Sequence, residues 1–133
     1  MARYSMANLG AWALKTKRRR DAVVKASAQD TMAIAQTPKA KGGRMPVLTG
    51  NLRGSLSSSL HGGTALTGPE SYVMVAGSME AGDLASFRWG AAYAAAVNNG
   101  AQGRAGAHFV DGAVDQWPAT VRANVAKAQA AVG

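Results

Sequence analysis

Apolar and small side chains recur at helical spacing over the first quarter of the chain. Leu9, Trp12, Thr16, Val23, Ser27, Thr31 and Ile34 follow one another at steps of three, four or seven. No proline interrupts them, and Gly10 is the only glycine. This pattern predicts one long helix over residues 5–36. Its apolar stripe is narrow and padded with Ala22, Ala26, Ala28 and Ala35, which suits close packing against another helix.

The pattern changes at residue 37. Residues 37–47 hold two prolines around a Gly-Gly pair and read as a flexible basic loop. Pro46 then stops any helix and favours extended geometry before it. Thr49 is a competent N-cap, so Gly50-Asn51-Leu52-Arg53 can form one short turn before Gly54 releases the chain. Strands are expected within residues 48–90. Ser55 to His61 alternates, with Leu56, Ser58 and Leu60 on one side. Gly62-Gly63 and Thr67-Gly68-Pro69 punctuate a connection. Ser71 to Gly77 is apolar on both sides and reads as a central strand. Ala85 to Gly90, with Phe87 and Trp89, reads as a further strand. Short connections favour an antiparallel sheet of three or four strands.

Helices return over residues 91–133. Ala91 to Val97 is a short Ala-rich turn containing Tyr93, ended by Asn98-Asn99-Gly100, and 101–107 is a Gly-rich loop. From His108 onward Phe109, Ala113, Trp117, Val121, Val125, Ala128 and Val132 form one stripe, interrupted by Pro118. The helix is kinked there, or a second helix begins with Pro118 in its first turn. The stripe keeps its phase across the proline, which favours the kink. The expected fold is a single α+β domain of one sheet and packed helices.

Composition sharpens this picture. The chain has 133 residues and 47% hydrophobic side chains, but much of that is alanine and only 6% is aromatic. An alanine core buries little area per residue, so stabilisation by neighbouring subunits is expected. There is no cysteine, hence no disulfide or thiolate metal site. No apolar run approaches a membrane span, and Arg3 is not followed by the apolar region of a signal peptide. No membrane partner is expected. The net charge is +8, and ten of the fifteen cations lie at or before Arg44. Among them Lys15, Lys17, Arg18, Arg19, Arg20 and Lys25 belong to the long helix, and Lys39, Lys41 and Arg44 to the loop. Such asymmetry suggests an acidic partner, most often nucleic acid.

The chemistry-bearing residues offer no catalytic arrangement. His61 and His108 lack zinc-type spacing, and no Gly-x-Ser-x-Gly elbow or Walker loop is present. Asp111 and Asp115 beside His108 are explained by the start of a helix, where carboxylates are favoured. No cofactor is implied, and an enzyme is not expected. No sequence-reading nucleic-acid motif occurs, and Trp12, Phe87, Trp89, Phe109 and Trp117 are expected to face the core. DNA contact would therefore be to phosphates, nonspecific and salt-sensitive.

Three segments carry a family resemblance. Pro46-Val47-Leu48-Thr49-Gly50-Asn51-Leu52-Arg53-Gly54-Ser55 resembles the P-x-x-T-G-x-L-R-x-S signature of the neck or tail-component (head-tail joining) family of long-tailed bacteriophages. Tyr93 to Gly100 is similar to its Y-A-x-x-V-x-x-G segment, through Tyr93, Val97 and Gly100. Ala107 to Ala113, with Phe109 and Ala113, resembles its R-P-F-L-x-x-A segment. Asn98-Asn99 stands where the family often has an acidic and a bulky residue, and His108 replaces the proline. The resemblance implies a structural virion protein, assembled in the host cytoplasm. It would form a ring, commonly of six subunits, between the capsid connector or head-closure protein and the tail terminator or tail tube. Genomic DNA would pass nearby. Thr49, Asn51 and Arg53 would fix the junction between helix and sheet, with Arg53 reaching a carboxylate or carbonyl. A tail terminator, head-closure protein or minor capsid protein is a neighbouring possibility. A free, nonspecific DNA-binding protein is the alternative of another class.

Overall fold

In the computed structural model, which describes residues 6–46, 51–101 and 104–132, the chain is α+β. A long helix α1 (Met6–Gln36) opens it, followed by a 3-10 turn at Lys39–Lys41 and a short helix α2 (Asn51–Gly54). Then come β1 (Leu56–Leu60), β2 (Leu66–Thr67), α3 (Ser71–Gly77) and β3 (Ala85–Trp89). The last part holds α4 (Ala94–Asn99), the paired β4 (Gly100–Ala101) and β5 (Arg104–Ala105), α5 (Phe109–Asp115) and α6 (Trp117–Val132).

The main sheet has the order β2-β1-β3 and is antiparallel throughout. Leu56 pairs with Trp89 and Ser58 with Phe87, so the larger side chains of β1 and β3 share one face. Leu56 and Ser58 are buried on that face. The register sets Ser57 against Arg88 and Ser59 against Ser86 on the other, polar face. Ser86 and Arg88 on that second face are exposed. α1 packs most extensively on α6, and also on α3 and α5.

One core lies where α2, β3, α4 and α5 meet. Met45, Leu52 and Phe109 are buried there, with Trp89, Ala94, Val97 and Val110 packed around them. Trp89 meets Phe109 edge to face, with ring centroids 5.2 Å apart. The α1–α6 contact is built from small and polar side chains instead. Asn124 Nδ2 donates to Ser27 Oγ at 3.2 Å and to Asp30 Oδ2 at 3.0 Å.

Several expectations are corrected. Ser71–Gly77 is a helix, not a central strand, and β1 takes the central place. Its apolar run has no polar alternate to fix a period of two, and the buried set Val75, Ala76 and Met79 follows helical spacing. Ser71 Oγ lies 2.8 Å from Ser58 Oγ, docking the start of α3 on β1. The C-terminal segment is two helices, not one kinked helix. Gln116 separates them, and Pro118 lies in the first turn of α6, where its missing N–H leaves no gap. The predicted stripe holds at Ala128, which is buried, but departs at Val125, which is exposed while Asn124 beside it is buried. The Gly-rich loop carries the short β4–β5 pairing. Residues 37–46 fold back on themselves, with Lys39 N–H donating to Met45 O and Met45 N–H to Thr37 O. This reversal delivers Met45 to the core at 0% exposure.

The aromatic residues also divide. Phe109 is buried and Phe87 and Trp89 are half-buried, but Trp12 is 67% exposed and Trp117 43%. Trp12 fails the expectation because, among the described residues, no element covers that part of α1. Every position from Leu9 to Arg18 is exposed. Among the described residues no helix is long and apolar enough to cross a membrane.

Candidate functional site

The three motif segments, distant in sequence, meet around Phe109. Leu52 comes from the first, Val97 from the second and Phe109 from the third, all in the same apolar cluster. Ala113, one turn after Phe109, is also buried. Of the first motif, Leu48, Thr49 and Gly50 lie outside the described residues. Pro46 is half-buried and Asn51 is exposed at the start of α2. Ser55 Oγ donates to Leu52 O at 2.6 Å, and Gly90 N–H donates to Ser55 O at 2.9 Å, which ties α2 to the end of β3. Tyr93 is exposed, and Gly100 has φ of +90° after α4.

Arg53 reaches a carbonyl: its Nε donates to Gln36 O at 2.9 Å. The side chain of Gln36 completes the junction. It is 1% exposed. Its Nε2 donates to Arg53 O at 3.0 Å and to Pro69 O at 2.8 Å. Its Oε1 accepts from Trp89 Nε1 at 2.8 Å. One amide thus joins the end of α1, α2, the turn before α3, and β3. Sequence reasoning missed Gln36, because a glutamine at a helix end carries no local sign that it will be buried.

A second polar node forms at Asn98, also overlooked. Its Oδ1 accepts from Val110 N–H at 3.0 Å and its Nδ2 donates to Asp111 Oδ1 at 3.3 Å. The backbone O of Asn98 accepts from His108 N–H at 3.0 Å. A Cβ at Gly106 would lie 2.4 Å from that same oxygen, so only glycine lets the strands of this turn approach. His108 takes φ of +53°, a left-handed conformation, and its Nδ1 lies 3.2 Å from Asp111 Oδ2. Hydrogen bonds from His108 and then Asn98 hold the Asp111 carboxyl below its ordinary pKa. His61 repeats the pattern: φ is +53°, and its Nε2 lies 2.9 Å from Asp83 Oδ1. The backbone N–H of Glu80 and then His61 lower the Asp83 pKa. Neither pair has a nucleophile beside it in these contacts. No group of three His, Cys, Asp or Glu that could hold a metal occurs among the described residues.

The basic residues form two groups. Lys15, Lys17, Arg18 and Arg20 are exposed around α1, and Arg19 is partly buried. Arg19 Nε finds no hydrogen-bond partner among the described residues. Lys17 is engaged, 2.8 Å from Asp21 Oδ2 and 3.8 Å from Glu80 Oε2. Asp21 Oδ1 also accepts from Ala81 N–H at 2.9 Å, pinning the loop after α3 to α1. That backbone bond first, then Lys17, holds the Asp21 carboxyl below its ordinary pKa. Lys25 is half-buried. Lys39, Lys41 and Arg44 are exposed near the other end of α1. From Arg18 to the end of α1 is about 27 Å at 1.5 Å per residue, so the cations make no single patch. Arg44 lies across α5: a Cβ at Gly112 would meet its Nε at 2.7 Å.

A groove of about 280 Å³ opens between α1, β3 and α5. Met32, Phe87, Trp89, Val114 and Trp117 are among its walls, which are almost wholly apolar. The sequence pattern points Phe87, Trp89 and Trp117 to a core and gives no sign that they line an open groove. No family model, curated protein or solved structure gives a significant match to this chain.

Proposed function

We propose that the chain is a structural virion protein of the neck of a long-tailed bacteriophage. It joins the capsid connector to the tail as a ring and lies along the DNA path. The observation that carries this reading is the meeting of the three motif segments at Phe109. Residues that look like scattered, weak matches along the chain serve one structural junction. The subunit also leaves apolar surface uncovered at both ends of α1, including Leu9, Trp12, Leu14, Val114 and Trp117. Such surface suits a protein completed by its neighbours. The exposed cations of α1 suit a position beside DNA held without sequence preference.

Two measurements test the reading. Purified particles of a phage that encodes this chain should contain it at the head-tail junction when labelled with an antibody. The isolated protein should keep the same mass with and without a short DNA duplex at moderate salt. A monomer that coats the duplex tightly, releases it steeply as salt rises, and is missing from particles overturns the neck reading. It would favour a free DNA-binding protein. Reversing the charges of Lys15, Arg18 and Arg20 should impair genome retention while leaving the subunit folded. Unaltered particles would remove the role assigned to these cations.

A further inference from the structure

We propose that the outer edge of β3 pairs with the same edge of a second copy of this chain, antiparallel and about a twofold axis at Phe87. The inference goes beyond the neck reading and does not rest on it. The sheet ends at β3, which has β1 on one side only. Gly90 N–H donates to Ser55 O at 2.9 Å and His61 N–H to Leu84 O at 2.7 Å, one bond at each end of the β1–β3 ladder. Antiparallel bonds alternate, so Ser57–Arg88 and Ser59–Ser86 are the hydrogen-bonded pairs between those ends. Ala85, Phe87 and Trp89 therefore turn their N–H and C=O groups away from β1. Among the described residues nothing bonds to these outward groups.

Such a row fixes the kind of group that covers it. Donors and acceptors alternating at strand spacing take an extended backbone, not a helix. Free edges are ordinarily blunted by prolines, bulges, charges or very short strands. The opposite edge is blunted in this way: β2 has two residues, and Gly68-Pro69 follows it. Gly68 N–H donates to Leu56 O, so Thr67 alone of β2 faces outward. β3 has five residues with no proline or glycine, and its one charge, Arg88, lies on the exposed polar face.

The register identifies the occupant as β3 itself. The outward residues are symmetric about Phe87. A twofold axis there sets Phe87 against the second copy's Phe87 and Ala85 against the second copy's Trp89, and every outward group finds a partner. The smallest side chain of the inner face thus meets the largest. On the polar face Ser86 meets the second copy's Arg88, and no two arginines stand directly opposite. A head-to-tail pairing with β2 offers Thr67 alone and leaves most of the β3 groups unmet. The result is one sheet continuous through both copies, in the order β2-β1-β3-β3-β1-β2.

The chain has no cysteine, so introduced thiols report the register without background. A mixture of the single variants Ser86→Cys and Arg88→Cys should form a disulfide-linked heterodimer on mild oxidation, because opposite residues of a non-hydrogen-bonded pair lie close enough for the bond. Neither variant alone should cross-link. Mass is measured by light scattering after size exclusion at moderate salt, where the net charge of +8 on each copy is screened. The wild type should dimerise at high micromolar concentration. Ser86→Arg sets like charges opposite each other twice across the axis and should weaken the dimer about tenfold. Ser86→Glu should tighten it about tenfold, a result that misfolding does not produce. A wild type that stays monomeric overturns the proposal, as does a mixture that fails to cross-link, or a Ser86→Glu dimer no tighter than the wild type. Each of these leaves the neck reading standing. Absence of the chain from particles removes the neck reading and leaves the strand pairing untouched.

Discussion

The two halves of α1 form one continuous helix, yet they sit in different surroundings. From Leu9 to Arg18 every residue is exposed, apolar ones included. From Asp21 to Gln36 the helix is embedded among α3, α5 and α6, with Ser27, Met32, Ala35 and Gln36 buried. The embedded half is held by polar contacts that need one geometry: Ser27 and Asp30 to Asn124, and Gln36 to three other elements. The exposed half presents side chains that a partner could use. Helical periodicity alone does not separate these conditions, because it describes which residues share a face and not whether anything covers it.

The comparison can be broken most directly at Gln36. Gln36→Ala leaves two backbone carbonyls and the Trp89 indole N–H without their partner. At about 1–3 kcal/mol for each unmet buried group, partly relieved by relaxation, the loss should be about 3–5 kcal/mol in urea unfolding. A loss under about 1 kcal/mol would show that the junction is not what holds this half. Asn98→Ala should come next, at about 2–3 kcal/mol, because it orphans the Val110 N–H and frees the start of α5. Amide exchange at Val110 would report the release. Arg53→Ala removes one charge-assisted bond to Gln36 O and should cost about 1–2 kcal/mol by the same measurement. An unchanged midpoint would dismiss Arg53 from the junction.

Smaller effects lie at the boundary between the halves. The Asp21 carboxyl is held below its ordinary pKa by Ala81 N–H and by Lys17, so the folded state prefers it ionised. Its contribution is complete above the ordinary carboxylate pKa of about 3.9 and is lost as pH falls through the lower folded value. Asp83 and Asp111 act in the same direction. The unfolding midpoint should therefore fall on acidification below about pH 4, and Asp21→Asn should flatten part of that slope. Smallest of all is Trp12→Ala. It should change subunit stability by less than about 0.5 kcal/mol, as for an uncovered surface position. A large loss would mean that the arm is packed within its own subunit.

Legibility followed the range of the interactions. The long helix, the turn at Asn51 to Arg53, β1, β3 and the stop at Gly100 were readable because each rests on neighbours a few residues away. The segment Ser71–Gly77 was misread for the converse reason. Its residues are apolar on every side, and only docking on β1 and α1 decides between helix and strand. Pro118 announced a break in either reading, but the burial of Asn124 in place of Val125 depends on Asn124 facing Ser27. At the candidate site, Arg53 was legible as a residue seeking an acceptor, whereas Gln36 and Asn98 were not. Polar side chains become central only when the fold removes water from them.

The amino-acid order by itself determined the α+β class, the helical start, the clustering of cations before Arg44, and the absence of thiol chemistry. These are properties of local pattern and composition. The tertiary structure alone decided that Met45, Leu52 and Phe109 share a core and that Gln36 ties four elements together. It also decided that Trp12 stands uncovered while Trp89 turns inward. Those outcomes depend on which surfaces meet across long separations in sequence, and a local pattern carries no record of the partner it will find.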